Sequence, residues 1–386
     1  IELLTRYQKK TITFKKNSRI MGDKIIAPKG LEGVVVDTTS ISNVDAELSK
    51  LFYRGEEVAQ LSEQHNFDAV AYLLMNDTLP NEHQLDEFQK VEVQNRTLSE
   101  ETCKLIEQLK KAHPMDALRT IVSYLGALDP KRSFTTDTLN NKDKFLKLYA
   151  QIPVAIAYHY RVSKGKSIIT PNPNLDRTTN FFHMYFGELP TPANVKAFDA
   201  SMTLYAEHSF NASTFAARVI TSTTSDLHSA VSGAIGALKG PLHGGANEQV
   251  MYLLDELLKS NESVESWLEK QLQAKRKIMG FGHRVYKNGD SRVPTMQSHL
   301  EQLAQTPAHL NLLQKQKELA ERMTLQKGIL PNLDYPAGPA YHIMGFDIPS
   351  FTPIFVMSRI VGWSAHIIEQ SENNRIIRPL SEYIGK

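Results

Sequence analysis

AARVITSTTSDLHSAVSGAIGALKGPLHGGANEQVMYLLDELL, residues 216–258, carries three signals in succession. From Ala216 to Gly240 it is rich in Ala, Gly, Ser and Thr, with apolar residues returning every three or four positions, the spacing of one helix face. Small residues on such a face let two backbones approach closely. That suits either a tightly packed core pair or a subunit interface, and the sequence leaves both open. Gly240–Glu248 (GPLHGGANE) then breaks the pattern with glycines on both sides of His243. A new helix is predicted to begin near Ala246, its first N–H groups facing the loop before it.

The same helical spacing recurs in Val58–Met75, Thr102–Ala112, Ala117–Ala127, Asp143–Tyr160, Lys196–Ala206 and Gln249–Leu258. Pro80, Pro114, Pro130, Pro153 and the PNPN of Pro171–Asn174 punctuate these runs, and Ser225-Asp226 and Asn261–Ser263 offer caps. Strand character is confined to the start, where Thr11–Phe14 (TITF) and Gly33–Thr38 (GVVVDT) predict one or two small hairpins. The chain therefore reads as mainly α.

At 386 residues, 41% hydrophobic and 22% charged, the chain has the makeup of a globular protein of two or three domains rather than a disordered one. No purely apolar run reaches the ~18–20 residues of a membrane span, so no membrane association is expected. The net charge of +2 argues against a nucleic-acid binder. One cysteine, Cys103, excludes an internal disulfide or a CxxC metal site and fits a reducing cytoplasm. The charge is unevenly spread: residues 1–30 hold eight Lys/Arg against Glu2 and Asp23, a net of +6, which leaves −4 for the rest. That segment reads as a solvated basic arm.

Two further stretches combine Gly, His and charge. Met279–Arg292 (MGFGHRVYKNGDSR) sets His283 behind Gly280 and Gly282, and Leu330–Gly338 (LPNLDYPAG) holds Asp334 in a Pro- and Gly-bounded loop. Arg359 and Arg378 sit in otherwise apolar surroundings. Singly, each has a plain structural explanation: a turn histidine, an Asx-turn, a buried ion pair. GFGH follows no strand, as a dinucleotide loop must, and His243 and Glu248 lack the HExxH spacing of a zinc hydrolase. Together they suit one task. Arginines clamp a di- or tricarboxylate, a carboxylate removes a proton from carbon, and imidazoles donate to the oxygens that gain charge.

These stretches, with FTPIFVMSRIVGWSAHIIEQ (351–370) and NNRIIRPLSEY (373–383), closely resemble the signatures of the citrate synthase family, in order and spacing. The resemblance runs from about Lys29 to Gly385. GLEGVVVDTTSIS (30–42), HPMDALRT (113–120) and LYAEHSFNASTFAARVITST (204–223) resemble its bacterial 2-methylcitrate synthase branch. The resemblance implies a homodimer whose large helical domain (31–244 plus 346–386) holds an inserted, mobile smaller helical domain (245–345), behind the arm of residues 1–30. It implies Asp334 as base, His243 as donor to the thioester oxygen, and His283 on the ketone of oxaloacetate. Ser213 supports His243. His208, Arg292, Phe355 and Arg359 line the substrate site, with Arg378 arriving from the partner subunit. Lys277, Ile278, Met279, Gly280, Gly282, Lys287 and Asn332 lie along CoA. Neither a metal nor a permanently bound cofactor is implied, only acyl-CoA, propionyl-CoA or acetyl-CoA, as co-substrate. Two departures from the family pattern stand out. Tyr335, Pro336 and Ala337 follow the aspartate where many relatives carry an aromatic and a serine, and Glu56 replaces a common aromatic. A non-catalytic acyl-CoA or carboxylate binder is the competing class, although binding alone has no use for a base.

Overall fold

The computed structural model describes residues 19–21, 24–131, 137–286 and 288–385. The chain divides after Ser40 into two compact units. The first contains an antiparallel hairpin, β1 (Arg19–Met21) and β2 (Lys24–Ile26). Gly33–Thr38 is not a strand: none of the strands among the described residues pairs with it, and Val35 and Val36 are exposed. β-branched residues favour extended backbone, but a strand also needs a partner for its hydrogen bonds. The expected strand at Thr11–Phe14 lies outside the described residues.

The second unit opens with a three-stranded antiparallel sheet, β3 (Ser42–Asp45), β4 (Lys50–Tyr53) and β5 (Glu56–Glu57). The rest is helical: α1 (Val58–Gln64), α2 (Phe67–Asn76), α3 (Glu82–Gln94), α4 (Glu100–Gln108) and α5 (Pro114–Leu128) come first. Then follow α6 (Thr138–Ser163), α7 (Arg177–Phe186), α8 (Pro192–Tyr205), α9 (Ala212–Ser222) and α10 (Leu227–Leu238). The last are α11 (Ala246–Lys259), α12 (Val264–Gln273), α13 (Val293–Leu303), α14 (Pro307–Lys327), α15 (Asp334–Ile343) and α16 (Phe351–Glu372).

Local chemistry explains most boundaries. Val58–Met75 is two helices because Asn66 caps α2, its side chain accepting from the Ala69 N–H. Asp226 and Ser263 cap α10 and α12, and α11 starts at Ala246, as read from the sequence. Pro153 does not interrupt α6. It removes the N–H that the Tyr149 carbonyl would accept four residues back, and the Arg177 guanidinium fills that role at 2.6 Å.

α16 is the centre of the packing, lying against α6, α9 and α8. It is long and apolar enough to cross a bilayer, yet its apolar window is wholly buried in protein, which makes it a core helix. α9 and α10 pack as the close pair that their small residues predict. A Cβ on Gly233 would collide with Ile220.

Candidate active site

Connecting loops, several helix ends and one face of α16 build one site. The loop before His283 and the loop before Asp334 pair as a short antiparallel bridge, Phe281 opposite Pro331. Gly282 N–H donates to the Leu330 carbonyl, and Asn332 N–H to the Gly280 carbonyl, both at 2.9 Å. The Asn332 amide adds a bond to the Gly282 carbonyl at 2.9 Å. Gly280 makes this possible: at φ +84° a Cβ would lie 2.6 Å from Val250 and 2.9 Å from Tyr335.

Asp334 is the first residue of α15, and its Oδ1 accepts the Tyr205 hydroxyl at 2.7 Å. Burial raises its carboxyl to about 6, against the lowering pull of the Tyr205 hydrogen bond and of Arg292. It is therefore ionised at neutral pH and a stronger base than an exposed aspartate.

His243 sits in the turn between α10 and α11. Its Nε2 lies 2.8 Å from Ser213 Oγ and accepts the Ser213 backbone N–H, at the start of α9, at 3.3 Å. A nitrogen that accepts an N–H is unprotonated, so the neutral ring carries its hydrogen on Nδ1. Burial, and then Arg359, lower this imidazole to about 3. His283 has the opposite arrangement. Its Nδ1 accepts from the backbone N–H groups of Val285 and Tyr286 at 3.1 and 3.3 Å, which leaves the hydrogen on Nε2. Burial and Arg292 lower it to about 4. Both rings are thus neutral donors.

Aromatic contacts join the groups. The Tyr205 ring lies 4.1 Å from Phe355, and Phe355 lies 6.4 Å from His243. Arg359 stacks on Phe355 at 4.9 Å and donates from Nε to the Tyr205 carbonyl at 2.7 Å. Its buried Nη1 has no hydrogen-bond partner among the described residues, and burial depresses the guanidinium to about 10. Buried Arg292 is gripped by Asp290 through Nε (2.9 Å) and Nη2 (2.7 Å). Burial alone would lower it; Asp290 reverses this and holds it charged. Asp290 also accepts the Leu333 N–H at 3.1 Å, tying this arginine to the loop of the base. His208, 4.9 Å from His283, is held neutral by burial and by Arg292.

The structure thus brings together Asp334, His243, His283, Ser213, His208, Arg292, Phe355 and Arg359. Among the residues expected along CoA, Ile278, Met279, Gly280, Gly282 and Asn332 form or adjoin the paired loops, and Lys277 is exposed beside them. Lys287 lies outside the described residues. Arg378 is exposed on the segment after α16, which is tied to α9 where the Ile377 N–H donates to Ser222 Oγ at 3.0 Å. Within one chain it is not part of the site. Sequence reasoning missed Tyr205 and Asp290, and also Tyr286, whose hydroxyl lies 3.3 Å from His208 Nε2, Glu207, 2.9 Å from His366 Nε2, and Trp363, whose indole N–H donates to Ser213 Oγ at 3.0 Å. Only Asp290, two residues before Arg292, carried a readable signal, an acid beside a basic residue in a glycine loop. Among the described residues, no cluster of His, Cys, Asp and Glu is arranged to hold a metal ion.

Two predictions follow from the protonation states. kcat/KM should fall about tenfold per pH unit below about pH 6 as Asp334 takes up a proton. The two histidines, already neutral there, should add no titration step near that pH. Tyr205→Phe removes a hydrogen bond that favours the ionised carboxylate. The acid limb of the same profile should then move up by about one unit. An unmoved limb would mean that Tyr205 does not tune the base.

Residues 30–380 match the family described as citrate synthase, C-terminal domain. A 2-methylcitrate synthase from Mycobacterium tuberculosis is 51% identical over 358 residues, 92% of this chain and 90% of that protein. A citrate synthase from Mycolicibacterium smegmatis is 52% identical over 359 residues, 93% of this chain and 95% of that protein. Among solved structures, citrate synthase from Thermoplasma acidophilum, in a ternary complex with carboxymethyl coenzyme A and oxaloacetate, aligns with a TM-score of 0.87. That match has 30% identity and covers 93% of this chain and 96% of that one.

Proposed function

The chain belongs to the citrate synthase family, and from that premise we propose that it condenses propionyl-CoA with oxaloacetate and water to give 2-methylcitrate and CoA. It is an enzyme of the acyltransferase type. Relatives named 2-methylcitrate synthase and citrate synthase stand at similar identity, so acetyl-CoA, giving citrate, is the second reading. One methylene distinguishes the two substrates, a difference worth only about 1–3 kcal/mol in a pocket, and activity with both is expected.

Asp334 takes the α-proton of the thioester while His243 Nδ1–H hydrogen-bonds to its carbonyl oxygen and stabilises the charge that develops there. The resulting nucleophilic carbon attacks the oxaloacetate ketone, polarised by His283 Nε2–H, and that proton passes to the new alkoxide. The proton gained by Asp334 makes up the loss from His283 when the site is reset. Water then cleaves the thioester and releases CoA. Arg359, through its unpartnered Nη1, Arg292 and His208 would hold the carboxylates, with Arg378 of a second copy completing the clamp. Ile278, Met279, Gly280, Gly282 and Asn332, flanked by Lys277 and Lys287, would follow CoA. Phe355 and Tyr205 would wall the acyl group.

We place the mobile part at 245–345, closing over oxaloacetate before acyl-CoA binds, because a weak carboxylate base needs a water-poor site. The observation that carries the reading is the contact chain Asp334–Tyr205–Phe355–His243, which links the carboxylate and the imidazole through two aromatic rings. Equal amounts of propionyl-CoA and acetyl-CoA, offered together with oxaloacetate, test the preference by mass spectrometry of the products. 2-Methylcitrate should dominate, and a clear excess of citrate would favour the second reading.

A further inference from the structure

Ser213 Oγ has a single proton and two acceptors within reach, His243 Nε2 at 2.8 Å and Asn211 Oδ1 at 2.9 Å. Where that proton points bears on which nitrogen of His243 is protonated. If the hydroxyl donated to Asn211, its oxygen would be open to accept from a protonated Nε2, and the hydrogen needed on Nδ1 would be lost. Two features oppose this. The Ser213 backbone N–H already donates to His243 Nε2 at 3.3 Å, which marks that nitrogen as an acceptor. The second is Trp363, fully buried on α16, whose indole N–H donates to Ser213 Oγ at 3.0 Å.

Indole is a donor only, so this contact has one possible direction. It occupies a lone pair of Oγ, making the oxygen a poorer acceptor for a second N–H. A hydroxyl that accepts one hydrogen bond is also polarised into a better donor. Trp363 stands four residues after Arg359 and eight after Phe355, on the α16 face that lines the site. Its position is fixed by the same helix that carries the acyl wall and a carboxylate clamp.

We infer that Trp363 is a positioning residue for the enolisation step: its N–H turns the Ser213 hydroxyl toward His243 Nε2 and thereby keeps the catalytic hydrogen on Nδ1. This rests on the role of His243 proposed above. Trp363 acts only through Ser213 and touches no substrate.

The test replaces Trp363 with benzothienylalanine, which keeps the bicyclic volume but lacks the N–H, with Trp363→Phe as a second variant. The protein carries ¹⁵N-labelled imidazoles, and the His243 signals are identified by their loss in His243→Asn. Protonated Nδ1 should dominate in the parent protein and give way in part to protonated Nε2 in the benzothienylalanine protein. kcat should fall about three- to tenfold, the worth of one hydrogen bond, with KM for acyl-CoA little changed. In a Ser213→Ala background the same replacement should have no further effect on kcat. An unchanged tautomer in the benzothienylalanine protein, or a loss of kcat that persists undiminished without the serine hydroxyl, would overturn the inference. A parent protein that releases no CoA thiol with oxaloacetate would refute the proposed reaction instead, and the tautomer measurement would still decide the role of Trp363.

Discussion

Replacing Asp334 by alanine should lower kcat by on the order of 10²–10⁴, with oxaloacetate binding expected to persist. The α-proton of a thioester is weakly acidic, and the neighbouring carboxylates Asp290 and Glu207 are each engaged by other groups. Asp290 is held by both nitrogens of the Arg292 fork and by the Leu333 N–H. Glu207 is engaged through Oε1, which lies 2.9 Å from both His366 Nε2 and Ser42 Oγ. The fold should survive the change, because among the described residues the Asp334 carboxylate is hydrogen-bonded by the Tyr205 hydroxyl alone, and the loop pairing runs through backbone and Asn332. Asp334→Asn separates charge from shape: it keeps an acceptor for Tyr205 and removes the base. Both variants should show the same loss in steady-state turnover with an unaltered circular dichroism spectrum. Near-normal turnover in either would remove Asp334 from the mechanism.

His243→Ala ranks second, with an expected loss of about 10²–10³ in kcat, the cost of deleting one donor aimed at a developing oxyanion. The ring is neutral, and a neutral donor fits an oxygen that acquires only part of a charge. Arg359 would suit a full charge better, but its Nε bond to Tyr205 and its stacking on Phe355 orient it elsewhere. Exchange of the α-protons of acyl-CoA in deuterated water, with a non-reacting analogue of oxaloacetate, isolates this step. His243→Ala should slow that exchange as much as it slows turnover. Exchange at the parent rate would assign His243 to a later step.

Reading the chain by spacing found α5, α6, α8 and α11, whose apolar stripes repeat over several turns, but not the long helices α3, α14 and α16. It failed where a local detail overrides the pattern. His65 and Asn66 divide one periodic run in two, and Pro153 is tolerated because Arg177, from another helix, supplies the missing donor. In the site, residues set in glycine loops were legible: His243, His283 and Asp334 break the helical pattern and announce a purpose. Tyr205, Trp363 and Glu207 were not. They occupy or adjoin buried helices where an aromatic or a paired acid suits the interior, and only the partner across the gap gives each a task. Tyr205 becomes informative once its hydroxyl meets Asp334, and Trp363 once its N–H meets Ser213.

The central claim is that one buried site joins an acyl-CoA to oxaloacetate through carbon. The most direct measurement is release of the CoA thiol from propionyl-CoA and from acetyl-CoA, with and without oxaloacetate. The account predicts sustained release only when oxaloacetate is present, with at least one of the two thioesters and with loss of activity in Asp334→Asn. Release from neither thioester, or release at the same rate without oxaloacetate, would contradict it.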